Sequence, residues 1–132
     1  MRKDGELGRE EIRDRVSGVW EDFPEVRFAY LFGSRAEGKT GPLSDVDIAV
    51  YLEPYTHSRF LELYAALSRA LRLDHLDLLV LNRTHNLILL EEIIRHGLLL
   101  FERDPDLRMD FELETLHLAL DFRERRKRIF GI

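Results

Sequence analysis

Apolar residues recur along this chain in two rhythms, one of three to four residues and one of two, and the switches between them mark the elements. Ile12, Val16, Val19 and Phe23 sit three and four apart among charged residues, which predicts a helix over 9–23, stopped by Pro24. Residues 1–8 read as a loose, charged start. Val26, Phe28, Tyr30 and Phe32 then alternate with intervening residues, the rhythm of a strand, up to Gly33. Ser34 can open a single helical turn over 34–37, and GKTGPLS (38–44) has the composition of a loop. Asp45 to Leu52 reads as a second strand closed by Pro54, and 57–72 as a helix with Phe60, Leu63, Tyr64, Leu67 and Leu71 on one face. A third strand is expected over His75–Leu81, a helix over 86–96 ending at Gly97, and a short fourth strand over Leu98–Glu102. Asp104 or Asp106 can cap a last helix reaching about Phe130, its apolar face made by Leu107, Phe111, Leu116, Leu118 and Phe122.

The order of these elements constrains the architecture. The connection between the first two strands is too short for a crossover helix, so they are expected to be antiparallel neighbours. The expected fold class is α/β, a small mixed β-sheet flanked by helices rather than a doubly wound parallel sheet.

Composition changes the picture mainly by exclusion. The chain has 132 residues, enough for one domain with its own core. It has no cysteine, so disulfide frameworks and thiolate-ligated zinc or iron–sulfur sites are out. No stretch approaches the roughly 20 apolar residues of a membrane span, and MRKDGELGR lacks the apolar run of a signal peptide, so a cytoplasmic location is the expectation. A net charge of −5 argues against an extensive nucleic-acid surface.

Candidate chemistry concentrates in GSRAEGKTGPLSDVD, residues 33–47. Gly33, Gly38, Lys39 and Thr40 spell a P-loop letter for letter, but that motif must open a long helix, and here Gly41 and Pro42 follow at once. The other reading takes Gly33-Ser34 with Asp45-Val46-Asp47. Side chains two apart on a strand share a face, so Asp45 and Asp47 project together. Adjacent carboxylates repel unless cations lie between them, and hard oxygen ligands suit magnesium. Asp77 is a third acid, in the apolar run LDLLVL, whose neighbours imply burial and therefore a partner. If its strand lies beside the second, three carboxylates meet, enough to hold two metal ions for in-line displacement at phosphorus. Gly33 would let backbone approach a ligand, and the turn opened by Ser34 would offer amides to an anion.

The serine, the spacing, the carboxylates and their order resemble the signature of the polymerase-β nucleotidyltransferase superfamily. The strings AYLFGSRAEG, LSDVDIAV, LDLLVLN and EEIIRHGLLLFERD resemble its minimal nucleotidyltransferases, small proteins commonly encoded beside a HEPN-domain partner in toxin–antitoxin pairs. The resemblance covers roughly residues 10–104. It implies a palm-like nucleotidyltransferase fold and a single domain over 1–132, with a core at about 10–104 and a C-terminal helix at about 105–130. It implies Asp45 and Asp47 as metal ligands, and Asp77 as a third ligand that helps deprotonate the acceptor hydroxyl. Gly33 and Ser34 would contact the triphosphate, and Arg35 a phosphate or the partner. The implied reaction is Mg²⁺-dependent transfer of AMP from ATP to a tyrosine of the HEPN toxin, silencing its RNase activity.

Other residues carry plainer readings. Asp104-Pro105-Asp106 is a turn and helix cap. Asp77 could instead pair structurally with an arginine, and Asp74 could take its role; alternation places His75, Asp77 and Leu79 on one face, and the family pattern selects Asp77. The five histidines show no ligand spacing. The basic run Arg123–Arg128 is either a solvated helix end or a docking surface for a partner. Two other functions fit the same chain: a non-catalytic module that neutralises its partner by occlusion, and a small-molecule adenylyltransferase, for which little chain is left to build a substrate domain.

Overall fold

The computed structural model describes residues 7–38 and 46–131. Its elements are α1 (Arg9–Val16), β1 (Val26–Phe32), β2 (Asp47–Leu52), α2 (His57–Leu71), β3 (Asp77–Val80), α3 (Leu87–His96), β4 (Leu98–Glu102) and α4 (Pro105–Phe130). Short 3₁₀ turns cover Val19–Asp22, Gly33–Arg35 and Leu81–Arg83. The order of elements is as expected, but the first helix stops at Val16 and continues after Ser17–Gly18 as a 3₁₀ turn. Of the expected loose start, residues 1–6 lie outside the described residues, and Leu7 is buried in the core.

The four strands form one mixed sheet in the order β3-β2-β1-β4. β1 is antiparallel to both β2 and β4, while β2 and β3 run parallel, joined through α2. Parallel neighbours need such a crossover, and α2 is built for it. Thr56 caps its first turn by accepting from the Arg59 amide, and Leu63, Leu67 and Leu71 recur on its buried side.

Alternation along the strands divides the core in two. On one face Leu31, Ile48, Val50 and Leu52 pack with Ile12, Val16 and Trp20 and with the buried side of α2. On the other, Phe28, Tyr30 and Ala49 pack with Leu81, Leu90 and Ile93, backed by Leu107 and Phe111 of α4. Asn82 extends the sheet beyond β3 by mimicking a strand residue: its side chain accepts from the Leu52 amide at 3.0 Å and donates to the Leu52 carbonyl at 2.6 Å. Arg103 gathers the carbonyls of Trp20, Phe23 and Val26 at 2.7–3.0 Å and ties the turn after α1 to the end of β4.

α4 departs from its predicted face. Its buried residues are Thr115 and Ala119, with Leu107 and Phe111 half-buried, whereas Leu118 and Phe122 are exposed. The reason is length. A 26-residue helix spans about 39 Å, while strands of four to seven residues reach about 13–24 Å, so α4 runs past the sheet it packs on. Polar contacts at two points help to hold it. Tyr30 donates its hydroxyl proton to Glu112, and burial followed by that carboxylate pushes the tyrosine well above the usual phenol range, so it stays a neutral donor. Glu91 of α3 is buried between Arg95 and Arg123, which pairs its charge and draws the first residue of the basic run inward.

Two expectations test this packing. Leu67→Ala removes a fully buried side chain and should cost about 2–5 kcal/mol in denaturant unfolding, whereas exposed Leu61→Ala should stay within about 0.5 kcal/mol. Glu25 accepts two hydrogen bonds from Arg59 at 2.8 and 3.0 Å, and that guanidinium holds its carboxyl below the usual value of 4.5. A lowered folded-state pKa contributes stability above pH 4.5 that is lost as pH falls through the folded value. Glu25→Gln should therefore lower the thermal midpoint at pH 7, and the gap from the parent should close below about pH 4.5.

Candidate active site

The candidate residues gather at one end of the sheet, where β1 finishes and β2 and β3 begin. Phe32, the last residue of β1, is paired with Asp47, the first of β2, and Asp47 is in turn paired with Asp77, the first of β3. Partners in register project to the same face, here the one covered by α3 and α4. Two carboxylates thus stand side by side on strands about 4.8 Å apart.

Gly33 follows directly, with φ +76°, a conformation that favours glycine. A Cβ there would meet Asp47 Oδ2 at 2.5 Å, so the absent side chain makes room for that carboxylate. The chain then makes one 3₁₀ turn, Gly33–Arg35, instead of a long helix, with the amides of Ala36, Glu37 and Gly38 bonded back to residues 33–35 at 3.1–3.2 Å. Gly33 and Ser34 lie exposed beside Asp47. A cleft of about 270 Å³ opens next to them, lined by Phe32, Gly33, Glu37, Leu89, Glu92 and His96 among others.

Two sequence expectations change. Asp77 is not buried: its side chain is 64% exposed, because β3 is an edge strand and Asp77 is its first residue. Arg35 turns inward; it is fully buried and donates to the Leu7 carbonyl, so the structure places it in the core rather than on the surface shared by Gly33 and Ser34. Lys39, Thr40 and Asp45 lie outside the described residues. Among the described residues no group of three or more histidines or acids is placed to hold a metal ion. Asp47 and Asp77 are the two hard-oxygen donors brought together, and their shared face, with space kept by Gly33, suits a divalent cation of the magnesium type.

His75 has a larger place than its reading as a strand-edge filler. Its Nε2 lies 3.6 Å from Asp77 Oδ1, and its Nδ1 lies 3.4 Å from the Tyr64 hydroxyl, which accepts from the Leu76 amide. The alternation His75, Asp77, Leu79 carried that signal, but the position of Tyr64 on α2 did not show in the strand pattern.

The family model for polymerase beta nucleotidyltransferases matches residues 15–106. The chain belongs to this family. Solved structures share its fold. A toxin–antitoxin complex with AMP-PNP contains a chain 25% identical, at TM-score 0.69, with 95% of this chain and 97% of that one covered. The toxin–antitoxin MntA–HepT gives 22% identity and TM-score 0.65 over 93% and 96%. A tri-AMPylated Shewanella oneidensis HEPN toxin in complex with MNT antitoxin gives 23% and 0.68 over 93% and 96%. A comparison with curated proteins finds no significant match. The polymerase beta nucleotidyltransferase family fold accounts for the mixed sheet. Among the described residues no helix is long and apolar enough to cross a membrane.

Gly33→Ala tests the close approach. Its backbone strain should cost about 1–3 kcal/mol in denaturant unfolding, and the Cβ should force Asp47 aside. Gly18→Ala, whose Cβ meets nothing within 4 Å, is the control.

Proposed function

We propose that this chain is a nucleotidyltransferase that moves AMP from ATP onto a hydroxyl, a tyrosine of a HEPN-domain toxin, and so acts as an antitoxin. The observation that carries the reading is the register pairing of Asp47 with Asp77 beside the Gly33–Ser34 turn. Family membership, and the fold shared with toxin–antitoxin complexes, one containing AMP-PNP and another an AMPylated HEPN toxin, support it.

In the proposed reaction the acceptor oxygen attacks the α-phosphorus of ATP. The new P–O bond forms as the bond to the β-phosphate oxygen breaks, and pyrophosphate leaves. Asp45, Asp47 and Asp77 would hold Mg²⁺, which when bound neutralises phosphate charge and polarises the P–O bonds. Gly33 and Ser34 would seat triphosphate oxygens, with exposed Ser34 as a side-chain donor. Asp77 would also take the acceptor's proton. Its exposure on an edge strand suits that role, since a hydroxyl supplied by another protein must reach it from outside. His75, at 3.6 Å, would steady its carboxylate. The whole chain acts as one catalytic domain whose acceptor surface belongs to the partner.

The test is labelling of a HEPN partner with α-labelled ATP and Mg²⁺. Asp47→Ala and Asp77→Ala should each lower labelling by at least about 100-fold without loss of folding, because these groups act at the reacting phosphate. Labelling that persists in Asp47→Ala would overturn the catalytic reading. Toxin neutralisation that persists without ATP would point to occlusion instead.

A further inference from the structure

α4 carries two apolar faces, and the family's sheet uses one. Leu107, Phe111, Thr115 and Ala119 face the sheet side. On the opposite side stand Met109, Leu113, Leu116 and Leu120, spaced four, three and four apart, the spacing of a coiled-coil seam. At about 100° per residue these four fall within about 60° of one another around the helix. Met109 is 52% exposed, Leu113 56% and Leu120 57%, and Leu116 is half-buried, so among the described residues most of the stripe is uncovered.

The stripe is also symmetric in sequence. Met109 and Leu120 are equidistant from the point midway between residues 114 and 115, and so are Leu113 and Leu116. One step further out lie Asp106 and Arg123. Arg123 shares the single buried carboxylate of Glu91 with Arg95, so two cations meet one anion and positive charge remains at that end. A second α4 laid antiparallel on the first would set Leu113 against Leu116, Met109 against Leu120 and Asp106 against Arg123. A parallel pair would set acid on acid and base on base.

We propose that this stripe is the self-association surface of the protein, occupied by a second copy of the chain with the two α4 helices antiparallel. An isologous contact must pair each residue with its mirror position, and this sequence does so with matched apolar groups and opposite charges. The contact lies on the far side of α4 from the sheet and leaves the Asp47–Asp77 end untouched.

The absence of cysteine makes the test direct. Sedimentation of the protein alone at about 100 µM should give twice the 15.6 kDa chain mass. Leu113→Glu/Leu120→Glu, both at exposed positions, should keep the parent's circular dichroism and thermal midpoint but sediment as a monomer. Under mild oxidation Met109→Cys/Leu120→Cys should form a covalent dimer. Met109→Cys or Leu120→Cys alone should not, because like positions then lie about 16 Å apart along the axes. A monomeric parent at that concentration, or equal cross-linking by either single variant, would overturn the proposal. A stripe filled by a partner protein instead would show as a parent that stays monomeric alone.

Discussion

Two acids on neighbouring strands have to be held opposite each other by the fold. The parallel register of β2 and β3 does this: it sets Asp47 opposite Asp77, and it exists because α2 carries the chain over the sheet between them. Thr56 starts that crossover and Leu63, Leu67 and Leu71 anchor it to the core. A slip of one residue in β3 would turn its acid to the other face, where Leu78 and Val80 now pack. The apolar residues that follow each acid therefore hold the register that brings the acids together.

The same end of the sheet shows how small residues and exposed ones divide the work. Gly33 contributes by what it lacks, since its missing Cβ is the space Asp47 Oδ2 uses. Arg35, two residues on, does the opposite, sinking its guanidinium into the core against the Leu7 carbonyl and fixing the turn from behind. The result is a turn with exposed Gly33 and Ser34 in front and a buried cation at its back. Asp77 stands at the open margin because, among the described residues, β3 has no further strand beside it. A site built on an edge strand is accessible to a large acceptor, which a site in the middle of a covered sheet is not.

α4 couples this compact body to its surroundings. It is held by Tyr30–Glu112 near one end and by Glu91 between Arg95 and Arg123 near the other. Because it is longer than the sheet, most of its remaining apolar and basic residues stay exposed among the described residues. Their arrangement is a property of the helix's outer side, separate from the packing that holds the fold.

Local chemistry decided what could be read from the amino-acid sequence alone. Periodicity of two or of three to four, Ser and Thr caps, and Gly and Pro stops act over a few residues, so the order of elements and the antiparallel β1–β2 pair were legible. The closeness of Gly33 to Asp47 was legible too, because the two lie close in sequence. Tertiary structure alone decided which face of α4 is covered, that Arg35 is buried, that Asp77 lies at an exposed edge and that Tyr64 meets His75. Each of these depends on what a residue far along the chain contributes: the length of the sheet, the carbonyl of Leu7, the position of β3 in the strand order. Periodicity states that a side chain has an inner and an outer side; only packing states where the inside ends.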